Sequence, residues 1–163
     1  MKHLKKFNEN ENRIRTYDPD DYDRLMNAVR ENDIEEVKSM LDSGLDPNMD
    51  RGMPIRQCTR GGWKNTTGMM GPIKISNISM GDSRLDMFKL LVEYGAKLGD
   101  NFEAVKWAAE YGRTDMIDYM IDECGLTSGF RAALNWIRHT KKMTPELNAK
   151  VVEYLEDKID KYE

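Results

Sequence analysis

The chain has 163 residues, 33% of them charged and 39% hydrophobic, with a net charge of −4. That length suits one domain or a short repeat array, and Trp, Tyr, Phe, Leu, Ile and Met recur along it, which excludes a disordered polymer. The negative balance argues against a general nucleic-acid binder, and no run approaches the roughly 18 apolar residues of a membrane span.

The first residues, Met1-Lys2-His3-Leu4-Lys5-Lys6-Phe7-Asn8, are basic with no apolar run behind them, so no secretory signal is expected. Residues 1–19 read as a polar arm, marked by Asn8-Glu9-Asn10-Glu11-Asn12. A first helix is predicted over Tyr22 to Arg30, with Leu25, Met26, Ala28 and Val29 apolar and Pro19 or Asp20 at its start. A second follows in Asn32 to Ser43, ended by Gly44. Helices are then predicted at Ile73–Met80, Ser83–Tyr94, Phe102–Tyr111, Thr114–Cys124, Phe130–His139 and Glu146–Leu155, the last opened by Pro145. No alternation of strand type is convincing.

Four of these stretches are internally similar. Val37, Phe88, Ile117 and Val152 align in one apolar column, and Met40, Leu91, Met120 and Leu155 in another three residues on. Each pair marks one helix face, and a single buried stripe through Val37, Leu41, Phe88, Leu91, Ile117, Met120, Val152 and Leu155 is expected. Each such helix is preceded by another, so the unit is a helix, a tight turn and a second helix. Met26, Met40, Met87, Met116 and Met120 fall on the apolar faces and read as core fillers.

The pattern resembles the ankyrin repeat, whose unit is about 33 residues with two helices and a finger. Gly44-Leu45-Asp46-Pro47-Asn48 is similar to the family's Gly-Ala-Asp-Val-Asn exit from the second helix. Gly71-Pro72-Ile73-Lys74 stands where the family has Thr-Pro-Leu-His, without its Thr and His. Trp107-Ala108-Ala109-Glu110-Tyr111-Gly112 followed by Thr114-Asp115-Met116-Ile117 lies nearest to the consensus. The resemblance implies an all-α, short solenoid of about four repeats, at roughly 20–50, 71–99, 100–127 and 128–163, within a domain over 20–163. The diverged turns resemble the ankyrin proteins of large viruses and phages, which would imply a host-directed inhibitor acting in the host cytoplasm.

Val37 to Phe88 spans 51 residues, against a period of about 33. The excess is assigned to an enlarged finger at 50–72, between the first two repeats. The same region is distinctive in charge: residues 51–81 hold Arg51, Arg56, Arg60, Lys64 and Lys74 with no acid. Trp63 in this loop either folds back onto the helices or anchors a partner, and Met69 and Met70 offer adaptable apolar contact. Arg51, Arg56, Arg60, Trp63, Lys64, Met69 and Met70 are therefore the candidate partner-binding residues.

Cys58 and Cys124 lack metal-ligand spacing and are expected to be free thiols, and His3 and His139 are too few and too far apart to suggest a catalytic set. No nucleophile–base–orienter set is visible, and no cofactor or metal is implied. The expected function is a non-enzymatic, cytoplasmic protein-binding module without membrane association, taking a partner with an acidic surface. The alternative is a binder of nucleic acid or a phosphorylated small molecule through the basic loop at 51–74.

Overall fold

The computed structural model describes residues 17–60 and 84–163. These form α1 (Pro19–Glu31), α2 (Ile34–Asp42), α3 (Met49–Arg60), α4 (Leu85–Glu93), α5 (Asn101–Glu110), α6 (Thr114–Cys124), α7 (Phe130–His139) and α8 (Pro145–Tyr162). The architecture is all-α, with no strand among the described residues. None of these helices is long and apolar enough to cross a membrane.

Local chemistry sets the helix ends. Asp18, Asp33 and Asp100 each accept a backbone N–H of the first turn of the helix that follows, and Pro19 and Pro145 stand where an N–H would have no partner. The expected glycine ends are present: Gly44 and Gly95 adopt φ of 102° and 91°. The next residues then fold back, with Leu45 N–H donating to Met40 O at 3.2 Å and Ala96 N–H to Leu91 O at 2.9 Å. Gly129 is constrained differently, because a Cβ there would lie 2.8 Å from the Asn101 carbonyl carbon.

Successive helices pack as pairs: α1 with α2, α3 with α4, α5 with α6 and α7 with α8. The first members also touch in sequence, α1 on α3, α3 on α5 and α5 on α7, while α2 packs on α4 and α4 on α6. Two rows result, an inner row of α1, α3, α5 and α7 and an outer row of the others. Small residues on the inner row, Ala28, Ala104, Ala108 and Ala133, are buried and allow this close approach.

Val37, Leu41, Phe88, Leu91, Ile117, Met120 and Leu155 share one buried cluster, as does every methionine expected in the core except Met26, which is buried outside it. Val152 is only half-buried; its neighbour Val151 takes the core position at 1% exposure. Phe88 meets Tyr119 edge to face, with ring centroids 6.1 Å apart.

The assignment of 50–72 to a finger between the first two repeats requires correction. Through Arg60 this stretch is α3, an inner-row helix that buries Ile55, Cys58 and Thr59. Helix α3 thus runs across the bound expected at 50, and residues 61–84 stand between it and α4 in the chain. The remainder of the expected finger, Trp63, Lys64, Met69, Met70 and the helix at Ile73–Met80 lie outside the described residues, as does nearly all of the arm at 1–19.

Arg84 closes this second pair. Its side chain is 2% exposed, and its guanidinium donates to Val29 O at 2.6 Å and Arg30 O at 2.7 Å, the carbonyls at the end of α1. A buried cation bound to helix C-terminal carbonyls meets both their hydrogen-bond demand and their partial negative charge.

The buried stripe yields a direct expectation. Phe88→Ala should cost about 3–5 kcal/mol of stability, the range for truncating a fully buried aromatic side chain, measured by urea denaturation.

Candidate binding surface

The inner row presents a face of cations and aromatic rings. On α5 the core-facing set is Ala104, Val105, Ala108 and Ala109, so Lys106 and Trp107 fall beside it, half-buried. On α7 Ala133, Leu134 and Ile137 face inward, which leaves Trp136 44% exposed. The Arg56 guanidinium lies 4.1 Å from the Trp107 ring centroid. Lys106 Nζ sits among three rings, 5.1 Å from Phe102, 5.8 Å from Trp107 and 5.1 Å from Trp136. Such contacts are worth about 0.5–1 kcal/mol each at exposed sites, and they hold both the cations and the rings in place.

Trp136 is fixed at its polar end as well. Its indole N–H donates to Glu110 Oε1 at 3.2 Å, and Lys142 Nζ reaches the same oxygen at 3.0 Å. Glu110 is 5% exposed, so this carboxylate is spent inside the protein rather than offered to a ligand.

At one end of the face, between α3 and α5, two loops enclose a notch of about 220 Å³ lined by Arg51, Arg56, Lys97, Asn48 and Trp107. The loops are joined by one side chain. Asn48 Nδ2 donates to Gly95 O at 2.9 Å, and Asn48 Oδ1 accepts the Lys97 N–H at 2.7 Å. Arg51 reaches the notch through an unusual backbone. Asp50, Arg51 and Gly52 are all left-handed, with φ of 47°, 57° and 82°. A non-glycine residue there costs about 1–2 kcal/mol. The turn is tethered by Tyr22 O–H donating to Asp50 Oδ2 at 3.1 Å. Burial, and then this bond to a carboxylate, push the Tyr22 phenol up to about 12.

Of the residues singled out from sequence, Arg51 and Arg56 meet in this notch. Arg60 is exposed at the end of α3 and does not line it. Trp63, Lys64, Met69 and Met70 lie outside the described residues. Lys97, Lys106, Trp107 and Trp136 are additional members. Their signal in the sequence was faint: Trp107 and Trp136 each adjoin an apolar helical stripe without completing it. Chemically, the face supplies guanidinium and ammonium donors beside flat rings, which suits acidic chains.

Removing the carboxamide in Asn48→Ala should cost about 1–2 kcal/mol for two lost hydrogen bonds, visible as a lower urea midpoint. The Tyr22 bond should register as pH dependence. Its folded-state value exceeds the ordinary 10, so its contribution is complete below pH 10 and is lost as pH rises through about 12. The stability difference between the protein and Tyr22→Phe should therefore shrink over that window, measured by urea unfolding at a series of alkaline pH values. Compared with known proteins, the chain matches no family model, no curated protein and no solved structure.

Proposed function

We propose that this chain is a non-enzymatic, ankyrin-like interaction module that binds an acidic protein surface through its inner row. The observation that carries the reading is the cation–aromatic face of Arg56, Lys106, Trp107 and Trp136, spread over three successive inner helices. Trp and Arg are enriched at interface hot spots, where each combines a large contact area with hydrogen-bond donors. The two-row packing and the Asn48 link between successive loops support the ankyrin-like reading, since stacked repeats align their inner helices into one extended binding face. The partner's acidity follows from charge: among the described residues Lys106 has no ion pair, and Arg56 has only a distant one, to Glu103 at 3.9 Å.

Affinity capture tests this with the intact protein, an inner-row variant (Lys106→Glu with Trp136→Ala) and an outer-row control (Lys38→Glu). The inner-row variant should lose at least about 2 kcal/mol of affinity for a captured partner. Its thermal midpoint should fall, because Lys106 gives up cation–π contacts worth about 0.5–1 kcal/mol each and Trp136 its bond to Glu110, so capture is compared at a temperature where both variants remain folded. Retention of the partner by the inner-row variant, with loss in the control, would place binding on the other row and overturn the reading.

A further inference from the structure

The notch beside Trp107 has a narrower chemistry than the face around it. Arg51, Arg56 and Lys97 line it, and no acid does. A second surface depression, between the starts of α1 and α2, is the opposite: it is lined by five acids around Arg24, which already pairs with Glu36 at 2.5 Å. A third, between α7 and α8, sets Arg138 and Lys141 against Met143, Pro145 and Val152, and Arg138 is paired with Glu156 at 2.5 Å. Of these three depressions among the described residues, the notch beside Trp107 is the one lined by three cations and no acid.

Their charge is only partly met internally. Among the described residues neither Arg51 nor Lys97 forms an ion pair, and Arg56 reaches Glu103 only at 3.9 Å, too far for a hydrogen bond. The backbone beneath two of them is tied down, and the third lies over a ring. Arg51 projects from the left-handed turn tied down through Asp50. The Lys97 backbone N–H is bonded to Asn48 Oδ1, and the Arg56 guanidinium carbon lies 4.1 Å from the Trp107 ring centroid. Like charges that line one space repel one another, and an anion bound between them relieves that repulsion.

The number of charges selects the anion. A carboxylate carries one charge and two acceptor oxygens, and would leave most of this cluster uncompensated. A phosphate monoester carries about −1.5 to −2 near neutral pH and presents three acceptor oxygens, and each guanidinium can take two of them in a fork. We propose that the notch of Arg51, Arg56 and Lys97 is a receptor for a phosphate monoester. Trp107 is shared between the notch and the inner-row face, which favours a phosphorylated side chain of a bound protein segment. Only that choice of source rests on the interaction-module reading; the phosphate chemistry does not.

The test uses the full chain, ¹⁵N-labelled, at constant ionic strength, with four probes: inorganic phosphate, O-phosphoserine, an acidic peptide bearing phosphoserine, and the same peptide with Glu in its place. Phosphate and phosphoserine should shift the amides of Gly52, Lys97 and Gly99 and the Trp107 indole in a saturable way. The phosphopeptide should bind at least tenfold more tightly than its Glu form. Arg51→Gln with Lys97→Gln should abolish these shifts with an unchanged thermal midpoint, whereas Arg138→Gln with Lys141→Gln should leave them intact. Tighter binding of the phosphopeptide than of phosphoserine assigns the phosphate to a partner's side chain. Equal binding assigns it to a free phosphorylated small molecule. Shifts scattered over surface lysines, equal shifts with acetate, or full binding by the Arg51/Lys97 variant would each overturn the proposal. Loss of phosphate binding alone, with partner capture through Lys106 and Trp136 retained, removes the notch assignment and leaves the module reading standing.

Discussion

The carboxamide of Asn48 joins two loops that are 47 residues apart in the chain, donating to Gly95 O and accepting from the Lys97 N–H. Much of the candidate surface depends on that pair of bonds. A surface loop has little buried apolar area to fix it, so its position rests on hydrogen bonds such as these. With its backbone held against Asn48, Lys97 lines the same notch as Arg51 and Arg56. The same residue that closes the first loop thus sets the width of the notch. Tyr22 adds a second constraint, because its bond to Asp50 stabilises the left-handed turn that Arg51 requires.

The placement of the tryptophans follows from the packing of the inner row. These helices approach closely because small side chains, Ala104, Ala108 and Ala133, sit at their contacts. A large ring does not fit in that seam. Trp107 and Trp136 are therefore displaced to its edge, where each keeps part of its area in water and meets Lys106. Burying a tight seam of alanines and exposing a ladder of rings are two results of one steric constraint.

The outer row was legible in the sequence because its core positions are large, apolar and spaced three or four apart. Val37, Phe88, Ile117, Met120 and Leu155 declare a helix face without help from context. Even there, adjacent valines gave no local reason to choose Val151 over Val152 as the buried one. Helix α3 was illegible for the opposite reason. It buries Gln57, Cys58 and Thr59 and opens with Gly52 and Pro54, residues that read as loop when taken singly. Its helical identity comes from contacts with α1, α4 and α5, which no local pattern encodes. The candidate surface divides in the same way. Arg51 and Arg56 stood out through local charge, whereas Lys97 and Trp107 gain meaning only when distant segments meet.

Placing residues 51–60 in α3 rather than in a finger changes what the acid-free stretch does. In a projecting loop, Arg51, Arg56 and Arg60 would have acted together as one solvated cluster. In the structure they are separated: Arg51 lies in the left-handed turn that interrupts the start of α3, Arg56 lies over Trp107, and Arg60 is at the helix end, outside the notch. The absence of acids nearby then has a local consequence. An Asp or Glu at position 53 or 60 would stand one helical turn from Arg56 and could compete with any external anion for its guanidinium; the chain has Met53 and Arg60 there. Among the described residues Glu103 is the acid that approaches Arg56, and it stops at 3.9 Å. The local composition thus leaves Arg56, seated over Trp107, with a single distant carboxylate as competitor for an external anion.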